Sequence, residues 1–167
     1  MDAGTVQVYY GNGRGKTSAA LGYVIHEAGR GKSAIVIQFL KNKNDDELTF
    51  VGRLEPEIRL FRFQKSDKFF DELDKEAQED EIRNMKNGIG YARKVLVTGE
   101  CDTLILDEVL GLVDRGILSD EELISLIKAR SYGMNLILTG RVISSQAIEC
   151  VDYAYEIRTQ KGAAQIG

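Results

Sequence analysis

The chain has 167 residues, 43% of them apolar and 29% charged, a balance that suits one globular domain with a sizeable core. Its 22 basic and 26 acidic side chains leave a net charge of −4, which argues against a general nucleic-acid binder. No long apolar run, leader or lipidation signal is recognisable, so no membrane role and a cytoplasmic location are expected.

Residues 5–10 are apolar and rich in β-branched and aromatic types, which predicts a first strand. Tyr10-Gly11-Asn12-Gly13-Arg14-Gly15-Lys16-Thr17-Ser18 follows, and then Ala20, Leu21, Val24, Ile25 and Ala28 recur at helical spacing up to Gly29-Arg30-Gly31. Strand, glycine-rich turn and helix make the setting of a phosphate-binding loop. Glycines let the backbone take positive φ and come close to an anion. The helix start adds its dipole, Lys16 a point charge, and Thr17 a hydroxyl for a metal ion. Gly11, Asn12, Gly13, Arg14, Gly15, Lys16, Thr17 and Ser18 are therefore expected to bind a nucleoside triphosphate. The usual pattern, G-x-x-x-x-G-K-[ST], wants a glycine where Tyr10 stands, so this loop is one residue short. His26, the single histidine, reads as a surface or part-buried helix residue.

Residues 33–39 are nearly all apolar, the signature of a strand buried on both faces of a parallel sheet. Ligands of open α/β sheets bind at the strands' C-terminal edge, which makes Gln38 and Lys41 binding candidates. A solvated basic loop is the other reading of residues 40–44. A short helix is expected near residues 45–54 and a third strand over 58–63. The next loop carries Phe69 and Phe70, which either pack on the core or line a pocket for a large flat ligand.

Ile82, Met85, Ile89, Ala92 and Leu96 step by three and four along a long helix over residues 75–98, where Gly88 and Gly90 mark close packing or a kink. Thr103-Leu104-Ile105-Leu106-Asp107-Glu108 is an apolar strand ending in two acids. Together with the glycine loop it looks like a Walker B element, whose carboxylates hold Mg²⁺ directly or through water. Ser119-Asp120-Glu121-Glu122 fits a capping box opening a helix that runs to about residue 130.

Residues 135–139 predict another buried strand, which leads into Gly140-Arg141. Arg141 there reaches phosphate or makes a surface salt bridge. A helix near 145–151, a strand near 154–158 and a patternless, mobile tail from 159 complete the reading. Cys101 and Cys150 are far apart with no CxxC, and read as free thiols. Alternating strands and helices give one α/β domain over residues 1–167, with a mainly parallel sheet and helices on both faces. The glycine loop, Asp107-Glu108 and Thr139-Gly140-Arg141 are expected to converge at one end of it.

Several of these stretches together resemble a known family. Gly11 to Thr17 with Ala19-Ala20-Leu21-Gly22, Gln38-Phe39-Leu40-Lys41, Leu106-Asp107-Glu108-Val109 and Leu138-Thr139-Gly140-Arg141 resemble the P-loop-type ATP:corrinoid adenosyltransferases. These act on cob(I)alamin and cob(I)yrinic acid a,c-diamide, and a shortened glycine loop is characteristic of them. Val113 to Leu118 followed by Asp120-Glu121-Glu122 fits as well, and the likeness covers about residues 5–158.

The resemblance implies a P-loop NTPase-like (RecA-like) fold and a reaction in which cobalt(I) of a reduced corrinoid attacks the 5′-carbon of ATP and triphosphate leaves. It implies Lys16 and Arg141 as catalytic residues, and Thr17, Asp107 and Glu108 at Mg²⁺ or Mn²⁺. Phe69 and Phe70 would lie beneath the corrin ring. A homodimer supplied with electrons by a flavoprotein is also implied. The chain departs from the family at five places. It has no tryptophan and lacks the usual glycine-phenylalanine-threonine-tryptophan segment. His26 stands where arginine is common, and Leu110-Gly111 replaces a polar and an aromatic residue. The run after Arg158 is short, and no covering N-terminal helix is expected. Two other readings of the same motifs are a small P-loop kinase or ATPase and a non-catalytic ATP- or corrinoid-binding regulatory protein.

Overall fold

A computed structural model describes residues 2–40 and 50–163. Six strands form one sheet: β1 (Val6–Tyr10), β2 (Ala34–Gln38), β3 (Ile58–Arg62), β4 (Thr103–Asp107), β5 (Asn135–Gly140) and β6 (Tyr153–Glu156). The spatial order is β3-β2-β4-β5-β1-β6, and every neighbouring pair is parallel. Parallel pairing needs long crossovers, which the helices supply. These are α1 (Lys16–Ala28), α2 (Lys75–Thr98), α3 (Val109–Asp114), α4 (Asp120–Lys128) and the short α5 (Ser145–Ile148).

Side chains alternate across a strand, so each central strand feeds two cores. Ile35, Ile37, Leu104, Leu106, Leu136 and Leu138 pack with Met85, Ala92, Val95 and Leu96 of α2 and with Leu123 and Leu126 of α4. Val36, Ile105 and Ile137 face the other way, onto Ala20 and Val24 of α1. Helices thus cover both faces, and the sheet's C-terminal edge is left for the loops.

Local chemistry explains the element ends. Ser119 accepts the N–H of Glu122 at 3.1 Å while Glu122 accepts that of Ser119 at 2.8 Å, the capping box expected at α4. Asp74 caps α2 through the N–H of Ala77 at 2.9 Å. Gly88 sits where a Cβ would lie 2.7 Å from the Phe63 ring and 2.9 Å from that of Phe39, so it marks close packing of α2 on the sheet. His26 is exposed on α1.

Several boundaries differ from expectation. α5 stops at Ile148, and β6 begins at Tyr153 and ends at Glu156. α3 was not expected at all, because Val109 to Asp114 is too short to show a helical period. Most of the helix expected near residues 45–54 lies outside the described residues, and its described end is helical, α at residues 50 and 51 and a 3-10 turn at Gly52–Leu54. Residues 159–163 carry no regular element. No helix among the described residues is long and apolar enough to cross a membrane.

Both cysteines are free thiols. Cys101 is 6% exposed, and burial pushes its thiol up to about 12. A thiol reagent at pH 8 should therefore modify only Cys150 in the folded protein and both cysteines after denaturation. Rapid modification of Cys101 in the native state would contradict this packing.

Candidate functional site

β1 delivers the chain to its glycine loop at the sheet's C-terminal edge, and two glycines are spent on fixing the entry. The N–H of Gly11 donates to the Arg141 carbonyl at 3.0 Å, and that of Gly13 to the Ile157 carbonyl at 2.8 Å. Gly11 has φ 119°, and a Cβ there would lie 2.4 Å from the Ile157 oxygen, so both conformation and space demand glycine. The first half of the loop is therefore clamped to the ends of β5 and β6.

Of the loop amides that face this entry, that of Gly13 is already taken by the Ile157 carbonyl. Those of Arg14, Gly15, Lys16 and Ser18 have no hydrogen-bond acceptor among the described residues. They sit at the start of α1, where the helix dipole adds positive potential. The Lys16 ammonium folds back onto the Gly13 carbonyl at 2.9 Å, spanning the loop's mouth. Residues 12–18 and Glu108 line a cavity of about 410 Å³.

Behind this cavity lies Asp107, the last residue of β4 and fully buried. Its Oδ1 accepts the hydroxyls of Thr17 at 2.9 Å and Thr139 at 2.7 Å, and its Oδ2 accepts the Gln38 amide at 3.0 Å. Thr139 in turn accepts the N–H of Glu108 at 2.8 Å. Glu108 turns the chain from β4 into α3 with φ 61°, a left-handed conformation that costs a non-glycine residue about 1–2 kcal/mol. Strain of this kind is retained where surrounding contacts over-determine it, often at functional sites.

The donor set fits a hard cation. Thr17 lines the cavity and gives its hydroxyl proton to Asp107, which leaves its oxygen in the cation-binding sense of a hydroxyl ligand. A threonine oxygen, one or two carboxylates and substrate phosphates are the usual company of Mg²⁺. Among the described residues there is no cluster of three or more His, Cys, Asp or Glu side chains that could hold a metal without such help.

Other expected site residues are distributed differently. Gln38 is 1% exposed, and its amide bridges Asp107 and Arg62, whose Nε donates to Gln38 Oε1 at 3.2 Å. It braces the carboxylate from behind and does not line the glycine-loop cavity. Lys41 lies outside the described residues. Arg141 is exposed and lines an adjoining cavity of about 540 Å³, together with Tyr10, Asn12, Glu156 and Arg158. Asn12 is common to both cavities.

Phe69 and Phe70 part company. Phe70 packs against the core, while Phe69 is 56% exposed. Thr139 and Ile157 were missed by sequence reasoning. Thr139 sits inside Leu138-Thr139-Gly140-Arg141, yet a hydroxyl beside a more obvious cation draws no notice. Ile157 contributes only its carbonyl, which no sequence pattern reveals.

Comparisons with known proteins place the chain as a whole. Residues 2–167 match the family described as ATP:corrinoid adenosyltransferase BtuR/CobO/CobP. The corrinoid adenosyltransferase of Escherichia coli K12 is 29% identical over 99% of this chain and 82% of its own length. Corrinoid adenosyltransferase CobA of Salmonella typhimurium LT2 has the same identity and coverage. That of Pseudomonas aeruginosa is 27% identical over 99% of this chain and 80% of its own. Among solved structures, a KaiC-like protein of Pyrococcus horikoshii OT3 is similar, with TM-score 0.57 and 18% identity over 96% of this chain and 75% of that one. That likeness speaks for the α/β, RecA-like P-loop fold. The chain belongs to the ATP:corrinoid adenosyltransferase family.

Thr139→Val tests the buried network. It removes the donor to Asp107 and the acceptor for Glu108 while keeping side-chain volume. The loss should be about 1–3 kcal/mol in urea unfolding. Unchanged stability would show that the hydroxyl is dispensable.

Proposed function

We propose that this chain transfers the 5′-deoxyadenosyl group of ATP to cobalt(I) of a reduced corrinoid. The cobalt electron pair attacks the ribose 5′-carbon, a cobalt–carbon bond forms, and the bond from that carbon to oxygen breaks. Triphosphate leaves with the bonding electrons. The observation that supports this reading best is the intact line from Lys16 and the α1 amides through Thr17 to Asp107, in a chain of this family.

A departing triphosphate needs donors and positive charge set in advance. In this reading the Arg14, Gly15, Lys16 and Ser18 amides and the Lys16 ammonium receive it. Moving the ammonium from the Gly13 carbonyl to phosphate is a short swing that keeps its charge in the cavity. Thr17 and Asp107, with Glu108 at the rim, would hold Mg²⁺ or Mn²⁺, which supplies charge neutralisation on the phosphate oxygens. Thr139 and Gln38 keep the Asp107 carboxylate in place.

The adjoining cavity with Tyr10, Asn12 and Arg141 takes the other end of ATP, so that the nucleotide crosses at Asn12. Arg141 acts there on the nucleotide, and the corrin ring lies toward Phe69. By the same likeness the working form is a cytoplasmic homodimer fed by a flavoprotein donor.

Anaerobic incubation with ATP, Mg²⁺ and chemically reduced cob(I)alamin should yield adenosylcobalamin and triphosphate in equal amounts. ADP and phosphate with an unaltered corrinoid spectrum would replace this reading with an ATPase or kinase. Tight ATP binding with no product would point to a regulatory protein. Lys16→Ala should lower kcat/KM by about 100-fold or more, the scale of losing one preorganised transition-state donor. Full activity in that variant would remove Lys16 from the site.

A further inference from the structure

α2 carries a buried carboxylate that neither the phosphate site nor the core accounts for. Glu81 is 3% exposed. Its Oε1 accepts the N–H groups of Lys65 at 2.8 Å and Ser66 at 2.7 Å, while its Oε2 has no hydrogen-bond partner among the described residues. Burying a carboxylate with one oxygen unpaired is expensive, and a neutral side chain would serve folding better. What the carboxylate holds is the turn after β3 that leads to Phe69.

The rest of that turn is tied down as well. The Gln64 amide donates to the Ser66 and Lys68 carbonyls, both at 3.2 Å. The Gln78 amide donates to the Phe70 carbonyl at 3.0 Å, and Phe70 is anchored in the core. Asp71 pairs with Arg115 at 3.1 Å, at the end of the helix that Glu108 begins. Arg115 also donates to the Gly111 carbonyl at 3.3 Å, and a Cβ on Gly111 would lie 3.7 Å from Glu108 Oε2. The turn is thus fastened to the same end of the sheet as the glycine loop, and Phe69 is left projecting.

Resting on the adenosyltransferase reading above, we infer that Glu81 is a positioning residue for the corrinoid. Its carboxylate fixes residues 65 and 66 so that Phe69, and not Phe70, meets the face of the ring. The role concerns the second substrate alone, because none of the residues Glu81 binds lines the glycine-loop cavity.

The chain has no tryptophan, so Phe69→Trp installs a single fluorescent reporter at the tip of the turn. Hydroxocobalamin, with ATP present, should quench it in a saturable titration. Adding Glu81→Ala should weaken the apparent corrinoid Kd by about tenfold, the scale of losing hydrogen bonds to a charged group, and leave the ATP Kd within about twofold. Glu81→Gln keeps an acceptor oxygen for both N–H groups and should restore most of the affinity.

An equal loss of ATP and corrinoid affinity in Glu81→Ala, with a lowered Tm, would overturn the inference in favour of plain packing. An unchanged corrinoid Kd would overturn it too. No quenching in the Phe69→Trp chain with Glu81 intact overturns it whatever the turnover. Quenching with the expected Glu81 dependence, but no adenosylcobalamin from the unaltered chain, supports the positioning role and sinks only the proposed chemistry.

Discussion

A charged group with no exposure to water survives only if its hydrogen bonds are made inside the protein, and those of Asp107 include bonds from Thr17, Gln38 and Thr139. These three come from different elements: Thr17 from α1, Gln38 from β2 and Thr139 from β5. Each is brought there by a different crossover, so the carboxylate is satisfied only when the sheet has its correct order. The same hydrogen bonds that make its burial tolerable set the distance between the glycine loop and the end of β4. Arg62 on β3 extends the line through Gln38. The glycine-loop cavity is shaped from behind by a polar network that crosses most of the sheet.

Much of this could be read from the residues, and the reason is local. The strand, turn and helix around Gly11 to Ser18, the acids closing β4 and the Ser119 capping box each declare themselves within a few positions. Their convergence at one sheet edge followed from the topology rule for parallel strands. What escaped depended on register. Gln38 reads as a ligand residue from its place at a strand end, yet its alignment with Asp107 across the β2–β4 pair turns its amide onto that carboxylate. Gly13 reads as a free phosphate donor, yet the end of β6 takes its N–H. α3 is too short to leave a periodic trace, and Glu108 enters it through a left-handed turn that favours other residue types.

The two ends of the sheet's C-terminal edge are built on different principles. Around the glycine loop, backbone amides and a lysine wait for charge, and rigidity comes from clamping glycines where no side chain fits. Around Phe69, the backbone is held by side-chain amides and a carboxylate, and the exposed group is an aromatic ring. α3 joins the two, since it starts at Glu108 and ends at the arginine that holds Asp71. A shift of this short helix would be felt by both.

The clamp of Gly13 onto Ile157 also has a consequence for how the protein is made. Synthesis delivers the glycine loop well before the strand that shapes it. A nascent chain still on the ribosome carries every residue of the motif but lacks the carbonyl that fixes its first half. Domains fold as units once their sequence has emerged. The first half of the loop is therefore fixed only after residue 157 has emerged and taken its place beside β1.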